Sequence, residues 1–236
     1  RVPSVRELPV TWTEAVADSN SLCIASILPI HELYRMTKKI LFLHGFFASG
    51  ACIPACTLKQ CFEGKAEVLT PDLPLHPLEA LAFIRHLCEQ ERPDVLVGNS
   101  NGSFLAQIVA SASGIPALLG NPHFEMTWFL SERIGTHTYK SPRTDGKQQF
   151  TITPALIDEF AGLQIHQWDF CSPANQNRIW GLFGENDHLA HYEPLFREHY
   201  SHVFHFPGAH TPTAEEVQEY YVPLVEKLMD LPYNER

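Results

Sequence analysis

The chain has 236 residues, 44% of them hydrophobic, and a formal charge of −10 from 17 Lys and Arg set against 27 Asp and Glu. This is enough apolar sequence for one buried core, and so few cations argue against a broad nucleic-acid footprint or attraction to an anionic membrane surface, while leaving room for a local basic pocket. No apolar run approaches the roughly 20 residues of a membrane-spanning helix, and Leu22 to Ile30 follows Glu14 and Asp18 rather than a basic segment, so no secretory signal is expected and the chain reads as cytoplasmic.

Residues 1–35 carry scattered apolar side chains of no sustained period and stop before Met36-Thr37-Lys38-Lys39, which has the look of a protein start. They read as an N-terminal extension, with Leu22 to Leu28 as an alternative edge strand, and residues 36–236 read as the main domain. Ile40 to Leu43 is a buried-strand run ending in His44-Gly45-Phe46-Phe47, and Ala51 to Phe62 suits a helix with Leu58 and Phe62 on its inner face. A second strand, Glu67 to Leu69, leads through Thr70-Pro71-Asp72-Leu73-Pro74 to a helix over Pro77 to Gln90. The Val-rich run over 94–97 is a third strand, and it passes through Gly98-Asn99-Ser100-Asn101-Gly102 directly into a helical segment, Ser103 to Ala112. Ala117 to Leu119 is a fourth short strand.

Beyond Pro122 the rhythm changes. Aromatics, histidines and turn residues interleave with two predicted helices, Phe124 to Ile134 and Pro154 to Leu163, and no strand is apparent, so residues 123–177 read as a helical lid inserted over a pocket. Strand character returns at Arg178 to Phe183 and at His202 to Phe206, and an amphipathic helix over Ala214 to Met229 closes the chain. Strands alternating with helices predict an α/β fold with a mainly parallel, doubly wound sheet of about six strands. In such a sheet the loops at the carboxyl ends of the strands line the crevice.

The Gly-x-Ser-x-Gly at 98–102, with a strand before it and a helix after it, is the context of a nucleophile elbow, and Ser100 is the candidate nucleophile. A serine hydroxyl needs a base within hydrogen-bond reach, and that base needs an acid to hold its tautomer. Asp187 follows one late strand and His210 the next, which satisfies the order serine, acid, histidine. Glu185 competes for the acid role, and His188, His191 and His205 for the base, although His205 lies within strand alternation. Oxyanion donors are expected from the backbone N–H of Asn101 and from that of Phe46 or Phe47, with His44 structural. Phe46, Phe47, Phe124, Trp128 and Phe129 are candidates for an acyl pocket, the competing reading being plain core.

The cysteines Cys23, Cys52, Cys56, Cys61, Cys88 and Cys171 read as reduced thiols in a chain long enough to fold without disulfides. Neither their spacing nor the His188/His191 pair supplies a full ligand set, so no metal site is expected. No G-x-G-x-x-G or P-loop follows the first strand, which argues against nucleotide binding.

Taken together, Leu41-Phe42-Leu43-His44-Gly45-Phe46, the Asp72-Leu73-Pro74 loop, Gly98-Asn99-Ser100-Asn101-Gly102, Asn121-Pro122 and the late aspartate and histidine resemble the small YqiA/YcfP-like bacterial esterases of the α/β-hydrolase superfamily. The resemblance runs from Lys39 to the C-terminus and implies a compact α/β-hydrolase fold. It also implies a Ser100–Asp187–His210 triad, no cofactor, and hydrolysis of small-molecule carboxylic esters or acyl thioesters. Asn101 stands where Leu, Met or Gln is more usual in that family, and Ala209 where an aspartate often precedes the histidine. The rival expectation is a non-catalytic protein of the same fold that binds a ligand or partner in the pocket.

Overall fold

The computed structural model describes residues 37–230, so the readings for residues 1–35, the edge strand included, lie outside them. The strands are β1 Lys38–Leu43, β2 Ala66–Leu69, β3 Val95–Asn99, β4 Ala117–Gly120, β5 Gly135–Thr138, β6 Gln149–Ile152, β7 Ile179–Gly184 and β8 His202–Phe206. Six of them form one sheet in the order β2-β1-β3-β4-β7-β8, and every pairing in it is parallel. The inner strands β1, β3, β4 and β7 read as near-continuous apolar runs because both faces are covered. Ile40, Phe42, Val95, Val97 and Leu118 point to one face, against the helix α1 Ile53–Cys61 and the C-terminal helix. Leu41, Leu43, Leu96 and Leu119 point to the other face, against α2 Pro77–Glu91 and α3 Asn101–Ser113.

The chain leaves β1 for β2 on one side and returns to β3 on the other, so the strand order reverses between β1 and β3. That reversal opens a crevice beyond their carboxyl ends. The register brings those ends level: Leu43 lies opposite Gly98, Asn99 opposite Gly120, and Gly184 opposite Phe206. The turns that follow therefore share one rim.

The insertion between β4 and β7 departs from the helical lid expected. It holds α4 Met126–Ser131, shorter than the helix predicted over 124–134, an antiparallel hairpin of β5 and β6, and α5 Pro154–Ile165. The hairpin escapes a periodicity reading because each strand has four residues and only Phe150 and Ile152 among them are buried. Its connecting loop is fastened to the body of the protein. Lys140 N–H donates to the Phe47 carbonyl at 2.8 Å, Ser49 Oγ donates to the Pro142 carbonyl at 2.7 Å, and Asp72 Oδ2 accepts from both N–H and Oγ1 of Thr144 at 2.6 Å.

A short helix, α6 Glu193–Arg197, lies between β7 and β8. The C-terminal helix is not uninterrupted as predicted: Ala214–Glu216 passes into a π-helical turn, Val217–Tyr221, before Val222–Met229. Pro223 has no N–H to offer the carbonyl four residues back, and a widened turn is one way a helix absorbs that loss. The widened turn carries Tyr221, fully buried, to donate from its hydroxyl to Asn99 Oδ1 at 3.2 Å.

Among the described residues, no helix is long and apolar enough to cross a membrane, and Cys52, Cys56, Cys61, Cys88 and Cys171 are free. No three His, Cys, Asp or Glu side chains among them are grouped to hold a metal ion.

Tyr221→Phe deletes the hydroxyl and leaves Asn99 Oδ1 without that donor. We expect a loss of about 1–2 kcal/mol in urea unfolding, and an unchanged midpoint would show that the contact carries no net stability.

Candidate active site

Ser100 sits between the end of β3 and the start of α3 at φ 56°, ψ −120°, a backbone conformation that a non-glycine residue rarely adopts. Its N–H donates to the Gly120 carbonyl at 3.0 Å, and its own carbonyl accepts from Ser103 and Phe104 at the first turn of α3. The flanking glycines permit the close approach this requires. A Cβ on Gly98 would lie 2.5 Å from Ser103 Cα, and one on Gly102 would lie 1.9 Å from the Leu43 carbonyl oxygen. The hydroxyl of Ser100 consequently stands above the rim.

The structure brings His210 and Asp187 to this hydroxyl. His210 Nε2 is 2.8 Å from Ser100 Oγ, and His210 Nδ1 is 2.8 Å from Asp187 Oδ2. With Nδ1–H donating to the carboxylate, Nε2 is left to accept from the serine. Burial of Asp187, 3% exposed, would raise its pKa; the His210 contact and the N–H groups of Leu189 and Ala190 outweigh that and hold the carboxyl below its ordinary value. The competing candidates lie elsewhere. Glu185, His188 and His191 are exposed, and His205 pairs with Glu193 at 2.7 Å.

Two backbone N–H groups lie in the segments that follow β3 and β1. Asn101 N–H belongs to the first residue of α3, where a helix leaves its amides unpaired, and Phe46 N–H lies in the turn after β1. Neither donates to a backbone acceptor among the described residues. His44 pins the Phe46 turn: its Nδ1 donates to the Gly45 carbonyl at 2.8 Å while Nε2 accepts from Leu73 N–H at 2.9 Å. Burial lowers the His44 pKa to about 4, so the ring is neutral at pH 7 and keeps both roles.

Above Ser100 and His210 is a cavity of about 800 Å³ whose apolar wall includes Phe46, Phe47, Phe129 and Leu189. The reading that Phe124 and Trp128 belong to this pocket is corrected. Phe124 is fully buried in the core against Trp168, with ring centroids 4.8 Å apart, and Trp128 points outward, 56% exposed. Composition marked both as aromatic, but Phe124 precedes α4 and Trp128 sits on a helix of six residues, so no periodicity states which way either ring turns.

Two side chains beside Ser100, Asp187 and His210 make contacts that sequence reasoning did not assign. His123, fully buried, packs between Phe129 and Tyr192, with centroids at 4.8 and 4.9 Å; burial first, and then the nearby His210, lowers its pKa to about 4. It therefore adds no positive charge beside His210 at pH 7. Asn121, at φ 40° just past β4, ties the acid and histidine loops together. Its Nδ2 donates to the carbonyls of Ala209 and His210 at 2.9 and 3.0 Å, and its Oδ1 accepts from Gly184 N–H at 2.7 Å. The only sequence signal was its position, directly after a strand in Asn121-Pro122.

Loss of these three bonds should let the histidine loop drift. Because misplacement by about 1 Å can cost on the order of 100-fold, Asn121→Ala is expected to slow labelling of Ser100 by a fluorophosphonate roughly 10- to 100-fold. Labelling at the wild-type rate would show that the loops hold their places without it.

Among solved structures, the chain is similar to alpha/beta hydrolase domain-containing protein 10 from mouse, at 13% identity and TM-score 0.58, over 81% of this chain and 89% of that one. It is also similar to Est1E from Butyrivibrio proteoclasticus, at 14% identity and TM-score 0.57, over 82% and 86% of the two chains. A monoacylglycerol lipase from Paleococcus ferrophilus aligns at 16% identity and TM-score 0.59, over 82% and 95%. At these identities the likeness shows the α/β-hydrolase fold, as the motifs implied. No curated protein matches the chain in sequence. Residues 39–205, from the start of β1 into β8, match the Uncharacterised protein family UPF0227, the YqiA/YcfP-like group that the motifs resemble, and the chain belongs to that family.

Proposed function

We propose that this protein is a serine hydrolase that cleaves carboxylic esters or acyl thioesters through an acyl-enzyme. The observation that supports this reading most directly is the continuous line of hydrogen bonds from Ser100 through His210 to Asp187 at the floor of an apolar cavity. Ser100 Oγ attacks the acyl carbonyl carbon as its proton passes to His210 Nε2. The carbonyl electron pair moves onto oxygen, where the Asn101 and Phe46 N–H groups offer it two donors. Collapse of this intermediate expels the alcohol or thiol, which takes the proton from His210, and the acyl group remains on Ser100. Water then attacks the acyl-enzyme with His210 again as base, releasing the acid and restoring the serine. Asp187, ionised and buried, stabilises the imidazolium formed in each half-reaction.

No step calls for a cofactor. That esterases and lipases are among the similar solved structures agrees with this chemistry. The aromatic wall supports an apolar acyl group in the cavity.

Hydrolysis of p-nitrophenyl esters and acyl thioesters of graded chain length by wild type and Ser100→Ala tests the reading. We expect wild-type turnover and a loss of at least about 1,000-fold in kcat for the variant. A folded wild type with neither turnover nor fluorophosphonate labelling would leave ligand binding in the cavity as the better account.

A further inference from the structure

One side of the cavity comes from a part of the chain whose charge opposes that of the whole. Over residues 133–148, which run from the end of α4 through β5 into the hairpin loop, there are four cations, Arg133, Lys140, Arg143 and Lys147, and one carboxylate, Asp145, in a protein of net charge −10. Asp145 is already engaged by Arg143, at 3.2 and 3.3 Å, and lies 3.8 Å from Lys147. Arg133 and Lys140 are the two of these cations that line the catalytic cavity.

Both rest on the same aromatic wall. Arg133 Cζ is 4.1 Å from the centroid of Phe129, and Lys140 Nζ is 6.0 Å from that of Phe47. The two rings meet edge to face with centroids 6.1 Å apart. Each cation thus stands over a ring face that favours it, and each is held in place from the backbone side. Arg133 Nη1 donates to the Phe129 carbonyl at 2.6 Å, and Lys140 is anchored through its own N–H to Phe47. The nearest carboxylate to Arg133 is that of Glu132, half exposed and 3.6 Å from Nη1. Among the described residues Lys140 has no carboxylate within 4 Å, and the cavity lining includes no Asp or Glu. A mouth of one sign, backed by low-dielectric rings, concentrates ions of the other sign.

We infer that the substrate carries an anionic oxygen group, phosphate or carboxylate, on the portion that lies at the cavity mouth, where Arg133 and Lys140 receive it while the uncharged acyl carbonyl sits at Ser100. This deepens the hydrolase reading and rests on it for the chemistry. The anion subsite itself can be read separately.

The kinetic test uses three aryl butyrates that differ only in the para substituent of the phenol: a phosphate, a carboxylate or a neutral methyl ester. The quantity read is the ratio of kcat/KM for a charged ester to that for the neutral one, compared between wild type and R133Q/K140Q, so that leaving-group reactivity cancels. We expect the ratio to fall roughly 5- to 30-fold in the double variant, the effect of removing two partly exposed ion pairs. A larger fall for the phosphate ester assigns the subsite to phosphate, and a larger fall for the carboxylate ester assigns it to carboxylate. A ratio unchanged by the substitutions overturns the inference.

Should wild type hydrolyse none of the three, the hydrolase reading is judged by the chain-length series and fluorophosphonate labelling, and calorimetry decides the subsite on its own. Hexyl phosphate and hexanoate are titrated against 1-hexanol into both proteins. Binding of either anion that exceeds that of the alcohol and is lost in R133Q/K140Q supports the subsite; no charge-dependent difference between the two proteins overturns it. K140Q alone serves as the second variant, since the structural bond at that residue is made by its backbone.

Discussion

The site depends on one constraint, the close passage of the start of α3 beneath the end of β1. For Ser100 to rise above the rim, the chain must turn within a residue at positive φ and then descend so near to Leu43 that no side chain fits at position 102. The fold accepts that strain because both elements it joins are buried on every side. β3 is the strand between β1 and β4, and nearly all of α3 is shielded from solvent. A turn of the same kind at an exposed edge could relax. Here, relaxation would require the sheet to open.

From that turn the remaining parts are located by bonds between loops rather than by the loops' own sequences. Asn121 links Gly184, at the end of β7, to the loop that carries His210, Tyr221 reaches Asn99 beside Ser100, and His44 ties the turn after β1 to Leu73. Each is a polar side chain, buried and paired across more than 25 residues of sequence. Unpaired, such groups would cost stability, so a geometry that suits the chemistry is also one that the folded state favours.

The central sheet was legible because its strands are covered on both faces, which writes them into the sequence as short unbroken apolar runs such as Ile40 to Leu43 and Val95 to Val97. The meeting of Ser100, Asp187 and His210 was legible because each follows a strand in a topology whose strand ends share a rim. The rest was hidden for particular reasons. The hairpin at 135–152 has too few buried residues to show a period of two, and the π-helical turn differs from a plain helix by one residue, its cause visible only as Pro223. Phe124 and Phe129 look alike in sequence and both are buried, yet only Phe129 also lines the cavity, a distinction made by the packing of the insertion as a whole. The role of Asn121 depends on partners 63 to 89 residues away, beyond any local pattern.

The fastening of the hairpin loop bears on how the cavity is used. Because Lys140, Pro142 and Thr144 are each bonded to the body of the protein through Phe47, Ser49 and Asp72, this side of the vestibule is assembled during folding and does not wait for a ligand to assemble it. The conformational entropy of ordering the wall has already been lost when a molecule arrives. Binding energy then need not be diverted to closing a flap, and more of it appears as affinity for whatever enters the cavity. In such a vestibule, selection is exercised by fit and charge at entry, and the width of the doorway is a property of the fold.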